Sequence, residues 1–272
     1  MNDLAQKLEY LKWLKIMGIE YYFSDKKDSN ILLNMAPTVI PKRSNVIPRL
    51  DRGIHNTAQN GSPGLRSAAP EDDKCLPPLD NIDSVDKLRE IVENFNGCSL
   101  KDFALNTVFA DGMQNAKIML IGEAPGAKED EQGIPFCGES GILLDTMLAT
   151  IGLSRKENIY ITNTIFWRPP ANRTPTKEEK EICKPFLEKH IALINPKLII
   201  CVGSTAVTGI LGDKVTINEA RNKMHFYQNK YLTNPVNTMA IFHPAYLLRQ
   251  GGRKKDTWFD LIKIQQFIEE NI

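Results

Sequence analysis

The chain has 272 residues, 34 of them basic and 33 acidic, which gives a formal net charge of +1. This length suits one sizeable domain with an additional segment, and the balanced charge argues against a protein that coats nucleic acid with a uniformly basic surface. The longest apolar runs, IMLI and LIICV, are too short to cross a bilayer, so no membrane association is expected. Five cysteines without a close pair favour a reducing cytoplasm over a disulfide scaffold.

The first 82 residues differ in composition from the rest of the chain. Leucines recur at helical spacing in residues 1–20, which predicts a short amphipathic helix. Residues 21–82 are rich in Ser, Asn, Asp, Pro and Gly and lack periodicity, which predicts a disordered linker. Residues 83–272 are expected to form the folded domain. We hypothesise that the linker tethers the amino-terminal helix to a replication or repair protein.

Within residues 83–272, apolar runs alternate with helical patterns. A helix is predicted to begin at Ser84, a good N-cap, and to run towards Asn96. Strands are predicted at 117–122, 159–164, 197–202 and 237–242. Helices are predicted at 139–151, 176–194, 204–211 and 255–270. Strands separated by helices indicate an α/β fold, a three-layer α/β/α sandwich with a central, mainly parallel four-stranded sheet.

Ligands of such sheets bind at the carboxyl ends of the strands. Here those ends read GEAPG, TNTIFWRPPANR, VGSTA and FHPAYLLR, so the unusual residues meet at one edge. The first, which begins at Gly122, is typical of a backbone cradle for a flat polar ligand or a phosphate. It lacks the Lys-Ser/Thr of a P-loop and the spacing of a dinucleotide loop, which disfavours triphosphate and NAD chemistry.

Three side chains near these ends are candidates for contacting a heterocyclic base. Phe136 lies in a polar loop and is a candidate stacking platform. The amide of Asn163 is a donor and an acceptor together, which suits the edge of a heterocycle. A neutral His243 can donate a hydrogen bond to a developing oxyanion. Each residue alone is more often structural, but the combination is far more specific.

The segment after His243 suits contact with DNA. Leu247 and Leu248, if exposed on a loop, are apolar wedges of the kind that enter a base stack. A basic cluster that begins at Arg249 follows them and suits phosphates, although an ordinary solvated helix start explains it equally well.

Five motifs occur together between residues 97 and 270. They read Gly122-Glu-Ala-Pro-Gly126, Gln132-Gly-Ile-Pro-Phe136-Cys-Gly138, Tyr160-Ile-Thr-Asn163, Arg168-Pro-Pro-Ala-Asn-Arg173 and His243-Pro-Ala-Tyr-Leu-Leu-Arg249. In order and spacing this set resembles the family 4 uracil-DNA glycosylases. The resemblance implies hydrolysis of the N-glycosidic bond of flipped-out deoxyuridine in single- or double-stranded DNA, the first step of base-excision repair.

The resemblance also implies a role for each matching residue. Phe136 would stack on uracil beside the cradle at Gly122, and Asn163 would bond O4 and N3–H, which rejects cytosine. Neutral His243 would stabilise the charge on O2 of the departing base. Leu247 would fill the gap left by the flipped base. The remaining matching residues, expected to contact DNA, are Arg168, Asn172, Arg173 and Arg249.

The carboxylates of the first two motifs are assigned only in part. Glu123 and Glu129 match acids of the family, one to orient water or stabilise the sugar cation and the other to crowd C5 of the base against thymine. Which acid does which stays open. Asp130 and Glu131 are interpreted as surface or loop-capping residues. Ala124 stands where the best-studied glycosylases carry an aspartate.

The sequence departs from the family at the iron–sulfur cluster. Family 4 enzymes usually hold a 4Fe–4S cluster through four cysteines, but only Cys98 and Cys183 fit that pattern, with Lys101 and Trp167 at the other two positions. Because such a cluster generally needs four thiolates, no metal and no cofactor are predicted, unless Cys75 is recruited from the linker.

Three alternatives remain open. One is a related covalent uracil-DNA binder, to whose histidine-containing insert residues 221–225 bear a distant likeness. Another is a catalytically silent DNA-binding module, which would need neither Asn163 nor His243. A third is a glycosylase with another main base, hypoxanthine or xanthine. A monomer in a bacterial cytoplasm is expected.

Overall fold

The structure, a computed structural model, describes residues 11–16 and 76–272. The predicted linker falls almost entirely outside the described residues, as does Cys75. The described residues 11–16 are helical and are called α1 here. No helix among the described residues is long and apolar enough to cross a membrane.

The centre of the domain is a six-stranded sheet, with two strands more than the sequence predicts. Its strands are β1 (Ala110–Gly112), β2 (Ile118–Gly122), β3 (Ile159–Asn163), β4 (Leu198–Val202), β5 (His225–Tyr227) and β6 (Val236–Ile241), in the order β1-β3-β2-β4-β6-β5. The four predicted strands are the four central ones and run parallel. The two additional strands lie at the edges and run antiparallel to their neighbours.

The helices cover both faces of the sheet. They are α2 (Val85–Asn94), α3 (Ala127–Gln132), α4 (Glu139–Ala149), α5 (Lys177–Ile194), α6 (Ser204–Leu211), α7 (Ile217–Asn222), α8 (Pro244–Arg249) and α9 (Lys254–Asn271). One apolar cluster packs one face of the sheet against α2, α5 and α6, and a second packs the other face against α4, α8 and α9. The predicted three-layer α/β/α sandwich is confirmed.

The starts of two predicted helices have capping hydrogen bonds. The Ser84 side chain accepts from the backbone N–H of Lys87 over 3.4 Å at the start of α2. At the start of α5, Thr176 and Glu179 form a reciprocal capping box. Such caps satisfy amides that the first helical turn leaves unpaired.

Helix α1 lies against the folded domain. Trp13 and Leu14 are each 1% exposed and belong to the apolar cluster on the α9 side of the sheet. The ring of Trp13 lies 5.4 Å from that of Trp258, measured between centroids. The apolar side of α1 is therefore occupied by the domain itself.

Candidate active site

The parallel register of β2 and β3 brings Gly122 and Asn163 side by side at the carboxyl edge of the sheet. The backbone N–H of Thr164 donates to the Gly122 carbonyl over 3.0 Å and continues this pairing. A Cβ atom added at Gly122 would overlap Oδ1 of Asn163 and the ring of Phe136. Glycine is therefore required at this position because two side chains close over its backbone.

Phe136 covers this pair of strand ends from the turn between α3 and α4. Its side chain is only 6% exposed, and its ring centroid lies 5.8 Å from that of His243. Its backbone is left-handed, with φ of 52°, which is rare for a bulky residue. The Phe136 carbonyl accepts a hydrogen bond from Arg155, a residue that lies outside the five sequence motifs.

His243 follows β6 and is the N-cap of α8. Its Nδ1 accepts a hydrogen bond from the backbone N–H of Ala245 over 3.2 Å. The proton of the neutral ring is therefore on Nε2, the nitrogen that is left free to donate. Burial, with a smaller contribution from the charge of Arg249, lowers the pKa of His243 to about 4. The imidazole is accordingly neutral near pH 7.

Asn163 is 2% exposed. Its side-chain amide makes no hydrogen bond with any other residue in the described part of the chain. A buried amide without a protein partner leaves its donor and acceptor for a ligand. A Cβ atom built at Gly122 would lie within 2.5 Å of both Oδ1 of Asn163 and the ring of Phe136, so a ligand of this amide would lie close to the proposed stacking platform.

The two predicted acids differ in their surroundings. Both carboxylate oxygens of Glu129 accept from backbone amides, from Gly126 over 3.1 Å and from Gly138 over 2.9 Å. The half-buried carboxylate of Glu123 makes no hydrogen bond or ion pair within residues 11–16 and 76–272. Glu129 thus holds together the loops before and after α3, whereas the Glu123 carboxylate has no such bond.

The next two acids, Asp130 and Glu131, also differ. Asp130 is 2% exposed, and its Oδ1 accepts from the backbone amides of Leu105 and Asn106 over 2.8 and 3.2 Å. This is a loop-capping role, in a buried rather than a surface position. Glu131 is exposed and pairs with Lys128 over 2.9 Å.

The structure places the two leucines after His243 in different environments. The segment forms helix α8 instead of the expected loop, because proline is favoured in the first turn of a helix. Leu247 is fully buried in the apolar core, which contradicts its expected exposure at the surface. Leu248 is 44% exposed, and Arg249 beside it is also exposed. The exposed leucine of this helix is therefore Leu248.

The loop after β3 contains the other predicted DNA contacts. Nε of Arg168 donates to Oδ1 of the exposed Asn172 over 2.7 Å, and the Arg168 guanidinium lies 3.9 Å from the carboxylate of Asp130. Arg173 instead forms a two-point ion pair with Glu179 at the start of α5. Arg168 and Asn172 are thus a linked pair, whereas Arg173 is bound to the capping box.

Cys98 and Cys183 meet in the core between α2 and α5. Their thiols share a hydrogen bond, which lowers the pKa of Cys98 and, together with burial, raises that of Cys183. Trp167 is fully buried, donates to Oγ1 of Thr107 over 3.0 Å and packs near Phe95.

The residues around this cysteine pair do not fit an iron–sulfur cluster. Nζ of Lys101 donates to the Glu93 carbonyl over 2.6 Å and to Oδ1 of Asn96 over 2.9 Å. Among the described residues, no group of three or more His, Cys, Asp or Glu side chains is arranged to hold a metal ion. A 4Fe–4S cluster needs four ligands, and at the four matching positions, all of which the structure describes, only Cys98 and Cys183 are thiols, whereas Lys101 and Trp167 do not supply the other two.

The histidine of the covalent alternative lies away from the strand ends. His225 pairs with Thr238 in the middle of β6, three residues before the end of that strand. At about 3.3 Å per strand residue this is roughly 10 Å from the carboxyl edge. The described structure therefore does not bring His225 into the group formed by Phe136, Asn163 and His243.

An α/β/α sandwich with an aromatic ring, an amide and a neutral imidazole at its carboxyl edge suits an enzyme that binds a flat heterocycle. The family model of the uracil DNA glycosylase superfamily matches residues 109–263, more than half of the chain. The chain belongs to this superfamily.

Among its relatives are three type-4 uracil-DNA glycosylases. That of Pyrobaculum aerophilum is 35% identical over 179 residues, which are 64% of this chain and 90% of the relative. Those of Archaeoglobus fulgidus and Thermotoga maritima are both 36% identical, over 67% and 66% of this chain and 92% and 93% of the relatives. These organisms include archaea and a bacterium, so a bacterial origin stays a prediction.

A relative of another kind is a DNA polymerase of Bacillus phage SP01. It is 26% identical over 152 residues, which are 56% of this chain but only 16% of the polymerase. The similarity therefore concerns one segment of a much longer protein.

Proposed function

We propose that this protein is a monofunctional uracil-DNA glycosylase that hydrolyses the N-glycosidic bond of flipped-out deoxyuridine in single- or double-stranded DNA. The observation behind the proposal is that Phe136, Asn163 and His243 come from three different parts of the chain and meet at the carboxyl edge of the sheet. Membership of the superfamily and the type-4 relatives support it. Removal of the base would begin base-excision repair.

Uracil recognition follows from the surroundings of Asn163. With uracil stacked on Phe136, the amide oxygen accepts from N3–H and the amide nitrogen donates to O4. Cytosine presents the reverse pattern, an acceptor at N3 and a donor at C4, so it would leave two polar pairs unmade. A site built to bond a substrate group discriminates strongly against an analogue that lacks it, because its buried polar atoms are then unpaired.

Bond cleavage depends on the charge that develops on uracil. As the glycosidic bond breaks, the base leaves with negative charge on O2 and the sugar becomes cationic. Nε2–H of neutral His243 donates to that oxygen. Removing one such preorganised donor typically costs about 10²–10³-fold in rate.

The carboxylate of Glu123 suits the sugar, which becomes cationic as the base leaves. Glu123, which has no partner among the described residues, orients the attacking water or stabilises the sugar cation. Glu129 instead fixes the loops around Phe136 through its two backbone amides. This assigns different roles to the two acids, and the structural role of Glu129 replaces the expected catalytic one.

DNA contact is assigned to the exposed and partly exposed residues of the same edge. Leu248, rather than the buried Leu247, fills the gap left by the flipped nucleotide. Arg249 and the linked pair Arg168 and Asn172 contact the phosphate backbone. Arg173 keeps the α5 N-terminus in place through Glu179 and contributes less to DNA binding.

The enzyme works without an iron–sulfur cluster in this proposal. Aromatic side chains, Trp167 and Phe95, fill the core beside Cys98 and Cys183 instead. Protein purified from iron-supplied cells should be colourless and free of stoichiometric iron, and brown protein with about four irons per chain would contradict this. We also expect a monomer in the cytoplasm, and a repair or replication partner for the amino-terminal region remains a hypothesis.

A panel of oligonucleotides tests the substrate. Duplexes with a single uracil, hypoxanthine, xanthine or thymine opposite the same base are incubated with the protein and cleaved with alkali at abasic sites. Uracil-containing DNA should be cleaved fastest, and thymine-containing DNA should stay intact. Preference for hypoxanthine or xanthine, or a DNA adduct that survives SDS, would contradict the proposal.

A further inference from the structure

Arg155 binds the backbone of the loop that carries Phe136. Its side chain, in the connection between α4 and β3, is 15% exposed. Nη1 donates to the carbonyl of Pro135 and Nη2 donates to the carbonyl of Phe136, each over 3.0 Å. One planar guanidinium group therefore bridges two successive carbonyls of the turn.

Two carboxylates from other elements orient the guanidinium. Asp111 on β1 accepts from Nη1 over 3.0 Å, and Asp145 on α4 accepts from Nη2 over 2.8 Å and from Nε over 3.1 Å. All three nitrogens of the group are thus engaged, and they connect the edge of the sheet, a helix and the turn. The planar guanidinium group of arginine presents several N–H donors in fixed directions, so it can bond carbonyls and carboxylates at once. The single ammonium nitrogen of lysine cannot do so.

The turn needs such support because its conformation is unfavourable. Phe136 has φ of 52°, a left-handed value that side chains with a large Cβ substituent avoid. The first turn of α4 lies directly against the carbonyl group of Phe136. A Cβ atom at Gly141 would overlap this carbonyl group. On the far side, Glu129 holds the amide of Gly138. Arg155 supplies the two hydrogen bonds to the carbonyls of Pro135 and Phe136.

We propose that Arg155 is a positioning residue for uracil binding, which acts through the backbone of Phe136 and does not itself contact DNA. This inference rests on the proposed stacking role of Phe136. Without the bridge, the turn relaxes towards ordinary φ values and the ring leaves its place over the carboxyl edge. A displacement of about 1 Å in a substrate-positioning group can cost about 10²-fold in rate.

Steady-state kinetics on a single-stranded uracil oligonucleotide test this role. Arg155→Met and Arg155→Lys should both lower kcat/KM by about 10²-fold and weaken inhibition by free uracil. Lysine preserves the charge but bonds at one point, so it should not restore activity. The matched control is Lys156→Met, the exposed neighbouring residue, which should behave as the native protein. Native kinetics for Arg155→Lys would overturn the proposal.

A double-mutant cycle separates positioning from general destabilisation. If Arg155 acts through Phe136, the double variant Phe136→Leu/Arg155→Met should be no less active than Phe136→Leu alone. Multiplied losses would overturn the inference. Circular dichroism and thermal unfolding check that each variant is folded, and Asp145→Asn, which removes one orienting carboxylate, replaces Arg155→Met if that variant does not fold. An inactive native protein would instead refute the proposed function.

Discussion

The backbone amide of Ala245 donates a hydrogen bond to Nδ1 of His243 over 3.2 Å. Because a neutral imidazole has one donor and one acceptor nitrogen, this single contact assigns the proton to Nε2. It comes from the first turn of α8, the helix that His243 itself caps. The helix start thus selects the tautomer that can donate to a departing uracil anion.

The pH profile of the reaction should reflect this environment. Since burial lowers the pKa of His243 to about 4, its protonation should not reduce kcat/KM until the pH approaches 4. In the unfolded chain the pKa is about 6.5, so the unfolded state binds more protons between these values. The stability that His243 contributes is therefore present above pH 6.5 and is lost as the pH falls towards 4.

Rates from pH 4 to 8 and unfolding midpoints over the same range test this prediction. His243→Gln is the control for the rate, because it cannot take up a proton. Loss of native activity between pH 7 and 6 that is absent from His243→Gln would contradict the lowered pKa. Buried His190, whose pKa is lowered to about 3, should add to the acid destabilisation without affecting the rate profile.

Leu247 and Leu248 should separate stability from DNA binding. Leu247→Ala removes a fully buried side chain and should cost about 2–5 kcal/mol of unfolding free energy. Leu248→Ala should change stability by less than about 0.5 kcal/mol but slow uracil release from duplex DNA. Single-stranded DNA is the control, because little stacking is lost there when the base is flipped. Normal duplex activity in Leu248→Ala would exclude it as the wedge.

Glu123 and Glu129 should respond differently to removal of their charge. Glu123→Gln should leave the unfolding midpoint unchanged and lower kcat by about 10²–10⁴-fold, the range for a positioned acid or base. Glu129→Gln places an amide NH₂ group against backbone N–H donors and should cost about 1–3 kcal/mol of stability. The assignment is wrong if Glu129→Gln is fully stable yet inactive while Glu123→Gln is active.

The amino-terminal helix should contribute to the stability of the domain. Trp13 packs against Trp258, so Trp13→Ala should cost about 3 kcal/mol of unfolding free energy. Lys15→Ala, on the exposed side of the same helix, is the matched control. Deletion of residues 1–80 should leave activity on a short oligonucleotide but lower the unfolding midpoint. An unchanged unfolding midpoint in Trp13→Ala and in the deletion variant would show that the contact between Trp13 and Trp258 does not stabilise the domain.

The sequence predicts the central sheet well because its strands carry an unambiguous pattern. β2, β3 and β4 are buried along their whole length. β2 and β4 are almost entirely apolar, and β3 begins with Ile-Tyr-Ile before its polar end at Thr162 and Asn163. The edge strands β1 and β5 have three residues each and partly exposed side chains. These short segments are strands because they pair with β3 and β6. Since that pairing depends on the fold, a local stretch of sequence does not predict it.

The site is predictable in its parts but not in all its contacts. Phe136, Asn163 and His243 follow recognisable strand ends, so topology brings them together. The burial of Leu247 is not predictable from the motif alone, because a proline after a strand is compatible with a loop, whereas here it begins a helix that buries Pro244 and Leu247, three residues apart. No sequence pattern identifies Arg155, because its hydrogen-bond partners are two backbone carbonyls and two carboxylates that are distant in the sequence.

The most direct test of the central claim is the release of free uracil from a single-stranded oligonucleotide labelled in the base, under single-turnover conditions. Native protein should release all the uracil. His243→Ala should react about 10²–10³-fold more slowly, and Asn163→Ala should lose both rate and discrimination against cytosine. Native protein that leaves the uracil in place, or variants that release it at the native rate, would contradict the account.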